Sequence, residues 1–324
     1  EVFTSLIASP SASIFWMVAT CIIGFGICSL GLEKGVEKIS KIMMSSLFII
    51  MIALAIRSLT LPNAREGLSF YLNPNLDSIV KNGLWTTIYA AMGQAFFTLS
   101  IGMGNMAIFG SYISKERSLL GEGINITVLD TFVAFTSGLI IFPACFSFGI
   151  RPDSGPSLVF ITLPNIFNSM PAGQVWGIAF YVFMVFAALS TIIAVFENII
   201  SFSIDLLGWS RKRSVAVNLI AIILLSIPCA LGSNLLSGFA PLGAGTTILD
   251  LEDFIVSNNI LPLGSLVYVA FCVSRYGWGW KNFTKEANAG KGMKFPEKAR
   301  FYVTFILPII ILAIFIFGYI EKFI

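Results

Sequence analysis

The chain has no histidine, so it lacks the side chain that most often serves as a general base or zinc ligand. Charge is also sparse. Asp, Glu, Lys and Arg make up 11% of residues, against about 25% in an ordinary soluble domain. The net charge is only +3, and no basic patch with interleaved aromatics exists, which excludes a nucleic-acid surface. The five cysteines (Cys21, Cys28, Cys145, Cys229, Cys272) show no CxxC pairing and read as small buried side chains. No GxxxxGK[ST], HExxH or GxSxG occurs, so ATP-driven pumping and standard hydrolase chemistry find no support. Gly102-x-Gly104-x-x-Ala107 has dinucleotide-loop spacing but no strand before it. After Glu1 there is no basic stretch leading into a short apolar run, so no signal peptide is read. The expectation is of a chain whose beginning is missing.

What is present is apolar. Hydrophobic residues make up 56% of the chain and mean hydropathy is +0.88, the composition of a polytopic, all-α membrane protein forming a single transmembrane domain. Runs of about 20 apolar residues mark crossings. These are Ala12–Leu30, Ile42–Leu61, Gly83–Ile113, Gly123–Phe148, Gln174–Leu207, Val215–Leu231, Phe254–Val273 and Arg300–Tyr319. The stretch Pro152–Pro171, with Gly155, Pro156, Pro164 and Asn165, is too punctuated to span and predicts short helices capping one face. If the first crossing runs inward, the inner loops collect fifteen of the twenty Lys and Arg, leaving Arg57, Arg65, Lys81, Arg151 and Lys322 outside. The sequons Asn125-Ile-Thr127 and Asn282-Phe-Thr284 then fall near inner loops, out of reach of glycosylation.

The third crossing contains Gly93-Gln-Ala-Phe-Phe-Thr-Leu-Ser-Ile-Gly-Met-Gly104. Hydrocarbon does not tolerate unpaired backbone groups, so glycine and hydroxyl at mid-span predict a broken helix lining a protein-enclosed cavity. Two half-helices meeting there would aim opposite dipole ends at one point, an arrangement suited to a small ion or zwitterion. Thr98 and Ser100 could instead simply hydrogen-bond a neighbouring helix.

Gln94–Gly104, Ala187-Ala-Leu-Ser-Thr191 and Ile161-Thr-Leu-Pro164 together resemble the neurotransmitter:sodium symporter family, bacterial amino-acid branch. Gly31–Lys41 and Leu249–Asp253 fall where that family has similar segments. The resemblance implies the leucine-transporter inverted-repeat fold, in which helices one and six are broken and face each other. This chain would supply helices four to eleven, with the first three absent. It also implies sodium-coupled amino-acid symport by alternating access, in a bacterial cytoplasmic membrane.

By the same resemblance, Thr98 is a ligand of the first sodium, Phe97 an aromatic lid over the substrate, Ser100 a contact to its polar end and Met103 part of the side-chain pocket. Sodium, like other hard cations, takes oxygen donors, which unwound carbonyls and a hydroxyl supply. Met103 stands where relatives often carry Phe, which suggests an adaptable pocket for a hydrophobic or aromatic amino acid. Ala187, Ser190 and Thr191 match the second sodium site, and positions i, i+3 and i+4 share one helix face. Val195 matches a wall of the substrate pocket. Small-residue helix packing is the other reading of these positions.

Asp130 lies in an apolar run, where an ionised carboxylate costs several kcal/mol unless paired. Family members usually carry Asn there, at the first sodium site. One bacterial relative has an acid at the position of Ala134, in place of the chloride used by many animal members. Asp130 would supply that fixed charge, with Gln94 and Thr98 beside it, or else be an acid at a helix mouth. Asp253, Asp205 and Tyr112 match the outer-gate acid, the inner-gate acid and the aromatic beside it. The partner arginines of the two acids would lie in the missing helices, and solvated helix-end charge is the alternative. Glu197 has no assigned role beyond lining an inner pathway. Two rival functions stay open: a truncated or regulatory fragment that only packs with other helices, and an intramembrane enzyme, for which no catalytic pair is found. Half the site being absent, coupled transport by residues 1–324 alone is not expected.

Overall fold

The computed structural model describes residues 2–73, 76–150 and 158–323, so Arg151, Pro152, Gly155 and Pro156 lie outside the described residues. The helices in chain order are α1 (Val2–Ala8), α2 (Pro10–Ser29), α3 (Lys38–Leu59), α4 (Ala64–Leu72), α5 (Leu76–Asn82), α6 (Leu84–Thr98), α7 (Asn105–Ser111) and α8 (Leu119–Ser147). They continue with α9 (Leu163–Ser169), α10 (Gly173–Leu207), α11 (Arg211–Leu231), α12 (Ile248–Asp253), α13 (Leu261–Val273), α14 (Trp280–Ala287), α15 (Ala299–Phe301) and α16 (Leu307–Phe323). Wider π-helical turns run over Leu32–Glu37, Leu158–Thr162, Phe254–Ile260 and Tyr302–Ile306. Among the described residues, seven continuous helices are long and apolar enough to cross a membrane.

Seven of the eight expected crossings are continuous apolar helices, the third, Gly83–Ile113, being interrupted, and the helix ends follow local chemistry. Ser9 caps α2 through its Oγ, which accepts from the Ala12 N–H at 3.4 Å, with Pro10 in the first helical position. Gly208, at φ 65°, ends α10, and two residues later Ser210 caps α11 by accepting from Arg213 N–H. The expected start at Phe254 is too late. The helix begins at Ile248 because Thr247 and Asp250 form a capping box, the Thr247 N–H donating to Asp250 Oδ2 at 2.6 Å. The short helices α4, α5 and α14 fall in stretches too brief or too polar to read as crossings.

The chain divides into two compact units, residues 1–74 with 132–239, and residues 75–131 with 240–324. In the first, α2 packs on α11 and α10, and α3 packs on α10. Lipid is as apolar as leucine, so these helices hold together by close packing rather than by exclusion of water. Gly24 makes room for the Phe196 ring, which stacks on Phe25 at 4.1 Å. Ser58 Oγ donates to the Ile140 carbonyl at 2.6 Å in the buried layer of Met51, Cys145, Leu163 and Ile166. Tyr71 Oη, on the short α4, donates to the Phe135 carbonyl at 3.2 Å, and burial raises this phenol above its ordinary pKa.

In the second unit, α6 packs on the π turn and α13 of the continuous rod that begins with α12, and on α16. Gly102, at φ 91°, and Gly264 of α13 meet backbone to backbone. A Cβ on Gly264 would strike the Gly102 carbonyl, and one on Gly102 would strike the Leu261 carbonyl and the Ser265 N–H. Gly264→Ala is therefore expected to destabilise by roughly 1–3 kcal/mol of overpacking. That outweighs the roughly 0.5–1 kcal/mol an interior helical alanine gains over glycine. Thermal unfolding in detergent checks this, and an unchanged midpoint would show that the two backbones do not meet.

Candidate functional site

The predicted break is present. α6 ends at Thr98 and α7 begins at Asn105. Between them Ser100, Gly102 and Gly104 have φ of 51°, 91° and 90°. Serine rarely adopts this left-handed backbone, so its position here carries strain of about 1–3 kcal/mol held by the surrounding packing. The break cuts the third crossing into helices of 15 and 7 residues, neither of which reaches the roughly 20 needed to span hydrocarbon.

Thr98, the last residue before the break, donates its Oγ1 hydrogen to Asp130 Oδ1 of α8 at 2.8 Å. This contact joins residues 32 apart that the sequence reading placed as neighbours. Its chemistry is directional. A hydroxyl has one donor and two acceptor sites, so giving the proton to a carboxylate leaves both lone pairs free for a cation. Gln94 lies one turn earlier on the same face of α6 and is exposed. Phe97 is half exposed, at 49%, while Ser100 and Met103 are partly buried within the break. Directly after it, Asn105 is buried, and its Oδ1 has no hydrogen-bond partner among the described residues.

In the other unit, Ser190 Oγ donates to the Ala187 carbonyl at 2.8 Å and Thr191 Oγ1 donates to the same oxygen at 3.3 Å. Three oxygens therefore converge on one face of α10, with Val195 one turn beyond Thr191. Asp253 ends α12, is exposed, and accepts from Ser257 Oγ at 2.9 Å. Asp205 is exposed in the last turn of α10. Tyr112 closes α7 and meets the Phe109 ring edge-on at 6.2 Å. A separate cavity of about 710 Å³ opens between α7, the start of α8 and the end of α13, lined by Phe109, Tyr268, Phe271 and Trp278. None of the residues predicted for the site lines it.

Glu197 corrects the sequence reading. It does not line an open pathway, because its side chain is 1% exposed and ion-paired with Arg211, Nη2 to Oε2 at 2.5 Å and Nη1 to Oε1 at 3.1 Å. Arg211 Nε also donates to the Cys28 carbonyl at 2.9 Å, in the last turn of α2. One guanidinium thereby ties the middle of α10, the end of α2 and the start of α11. The signal was available: an acid inside an apolar run asks for a partner, and Arg211 follows at the next helix start.

The profile of the sodium:neurotransmitter symporter family matches residues 6–323. An uncharacterized sodium-dependent transporter of Haemophilus influenzae is 35% identical over 313 residues, covering 95% of this chain and 66% of that protein. The uncharacterized sodium-dependent transporter YhdH of Bacillus subtilis is 33% identical over 321 residues, covering 97% of this chain and 68% of its own length. The crystal structure of MhsT in complex with L-phenylalanine is similar with a TM-score of 0.82 at 38% identity, over 97% of this chain and 70% of that one. The chain thus spans about two thirds of the length of these two bacterial relatives. The expectation of three absent helices is not supported: a match over 97% of this chain accounts for what is present and establishes no absence. With bilayer-length helices, a broken third crossing and a profile that runs nearly end to end, the chain belongs to the sodium:neurotransmitter symporter family of integral membrane transporters.

Proposed function

We propose that the protein couples sodium entry to amino-acid uptake by alternating access, with these residues supplying one broken helix and both hydroxyl-bearing ion half-sites. The observation that carries this reading is the Thr98–Asp130 contact at a helix break. A hydroxyl with its proton directed to a carboxylate, beside freed backbone groups, is an oxygen-rich, negatively biased place at mid-span. Ala187, Ser190 and Thr191 form the second such place. Sodium binding at both would complete the substrate site, and its gradient would supply the energy.

Phe97, Ser100, Met103 and Val195 contact the substrate in this reading, while Asp253, Asp205 and Tyr112 serve the gates. The similar protein MhsT is held in complex with L-phenylalanine. That complex and the adaptable Met103 both favour a hydrophobic or aromatic amino acid. Asp130 supplies fixed negative charge in place of chloride. The membrane is the bacterial cytoplasmic one, and lipid surrounds the exposed apolar helix faces.

The test is binding of the standard amino acids, L-phenylalanine first, by the purified protein in sodium and then in potassium. Saturable binding in sodium alone is expected, and equal binding in potassium would overturn sodium coupling. Ser190→Ala with Thr191→Ala removes two oxygens from the second half-site. It is expected to weaken sodium-stimulated binding about tenfold or more, since each hydrogen-bond-scale contact is worth ~0.5–1.5 kcal/mol.

A further inference from the structure

The broken helix is registered against the rod that follows residue 247 at a second point, well away from the break. Asn258, in the π-helical turn Phe254–Ile260, donates through Nδ2 to Tyr89 Oη of α6 at 2.8 Å. The adjacent Asn259 accepts through Oδ1 from Tyr319 Oη of α16 at 2.6 Å. Consecutive residues of one helix thus hold two different neighbours. The π turn, a wider turn that recurs at functional places in membrane and soluble helices alike, sits where they diverge. Gly318 of α16 makes the Tyr89 contact possible, because a Cβ there would meet Asn258 Nδ2 at 2.6 Å and Tyr89 Oη at 2.5 Å. The Tyr89 ring also lies 5.6 Å from that of Phe317.

From Tyr89 the unbroken α6 runs roughly 13 Å, at 1.5 Å per residue, to Thr98. Beyond Thr98, Gly102 rests on Gly264, on the same rod that carries Asn258. The half-helix bearing Thr98 is therefore pinned on both sides of its functional end, by one hydrogen bond and by one backbone-to-backbone contact. A helix transmits axial rotation along its length, so this hydrogen bond is placed to set the rotation of α6 and with it the position of Thr98.

We infer that Asn258 is a positioning residue for the sodium half-site, acting through Tyr89 to fix the rotation of α6 and so the direction of the Thr98 hydroxyl. This rests on the sodium reading above. Removing a single hydrogen bond is worth about three- to tenfold in an equilibrium, so Asn258→Ala and Tyr89→Phe should each raise the sodium half-saturation by that factor. The double variant should go no further than either single one, because both delete the same contact.

The experiment is equilibrium binding of radioactive sodium to the purified protein, with thermal unfolding measured alongside. Tyr319→Phe is the structural control. It deletes the neighbouring hydrogen bond to Asn259 without touching α6, and should lower stability comparably while leaving sodium half-saturation unchanged. Unchanged half-saturation in both Asn258→Ala and Tyr89→Phe overturns the inference, as does an equal shift in Tyr319→Phe. Thr98→Ala tells the two failures apart. If it weakens sodium binding while the Tyr89 and Asn258 variants do not, the positioning role alone has failed. If it too has no effect, the sodium reading has fallen with it.

Discussion

Asp130→Asn is expected to weaken sodium binding by about five- to tenfold while leaving the protein folded. The substitution keeps the size of the side chain and its ability to accept from Thr98 Oγ1, which lies 2.8 Å from Oδ1. What it removes is the charge. Interactions with a charged partner are worth about 1.5–3 kcal/mol against 0.5–1.5 for neutral ones, and each 1.4 kcal/mol is tenfold. Thr98→Ala is expected to have a smaller effect, because it deletes one ligand oxygen and leaves the carboxylate in place. The order of the two variants is the informative result: if Thr98→Ala weakened sodium binding more than Asp130→Asn, the hydroxyl and not the charge would dominate the site. The same reading has a consequence for anions. With a carboxylate fixed in the protein, replacing chloride by gluconate should leave amino-acid uptake by the intact transporter unchanged, and a strong chloride requirement there would remove Asp130 from the role given to it.

The second large effect is on stability. Arg211→Ala leaves the Glu197 carboxyl with no counter-charge in a place where its side chain is 1% exposed. Breaking a buried pair from one side costs about 3–5 kcal/mol. It also frees the Cys28 carbonyl, which accepts from Arg211 Nε at the end of α2. Thermal unfolding in detergent should show the loss as a lowered midpoint. Removing both charges together, as Arg211→Met with Glu197→Leu, is expected to recover most of it, since an apolar replacement of the pair is often neutral. A midpoint that stays fixed in Arg211→Ala would mean that the three helix ends are held by packing alone. Arg211 therefore belongs with the structural ties of the first unit, although in the sequence it reads as one more basic inner-loop residue.

The crossings were legible because about 20 apolar residues in a row have few other uses, and the helix ends because Ser9, Gly208 and Ser210 are local signals. The break was legible for the opposite reason: Gly102 and Gly104 contradict the run around them. The start of the rod at Ile248 was missed, since the apolar run by which the crossing was read begins only at Phe254, after the acids Asp250, Glu252 and Asp253. Glu197 was correctly marked as unusual, and the sequence pointed to a cation at the start of the next helix, but the choice among Arg211, Lys212 and Arg213 needed the fold.

By itself, the sequence determined the membrane setting, the approximate places of the long apolar helices, the place of the break and the family resemblance. The first three follow from composition, from local capping and from residues close together in the chain, and the resemblance from the separated motifs Gln94–Gly104, Ile161–Pro164 and Ala187–Thr191. Only the tertiary structure decided that Thr98 directs its proton to Asp130, that Arg211 rather than another cation meets Glu197, and that Asn258 holds Tyr89 against Gly318. The physical reason is the same in each case. A hydrogen bond between helices depends on the rotation of each about its axis. In an apolar chain that rotation is set by where glycines let backbones approach, as at Gly102 and Gly264, and not by a polar face written into the sequence.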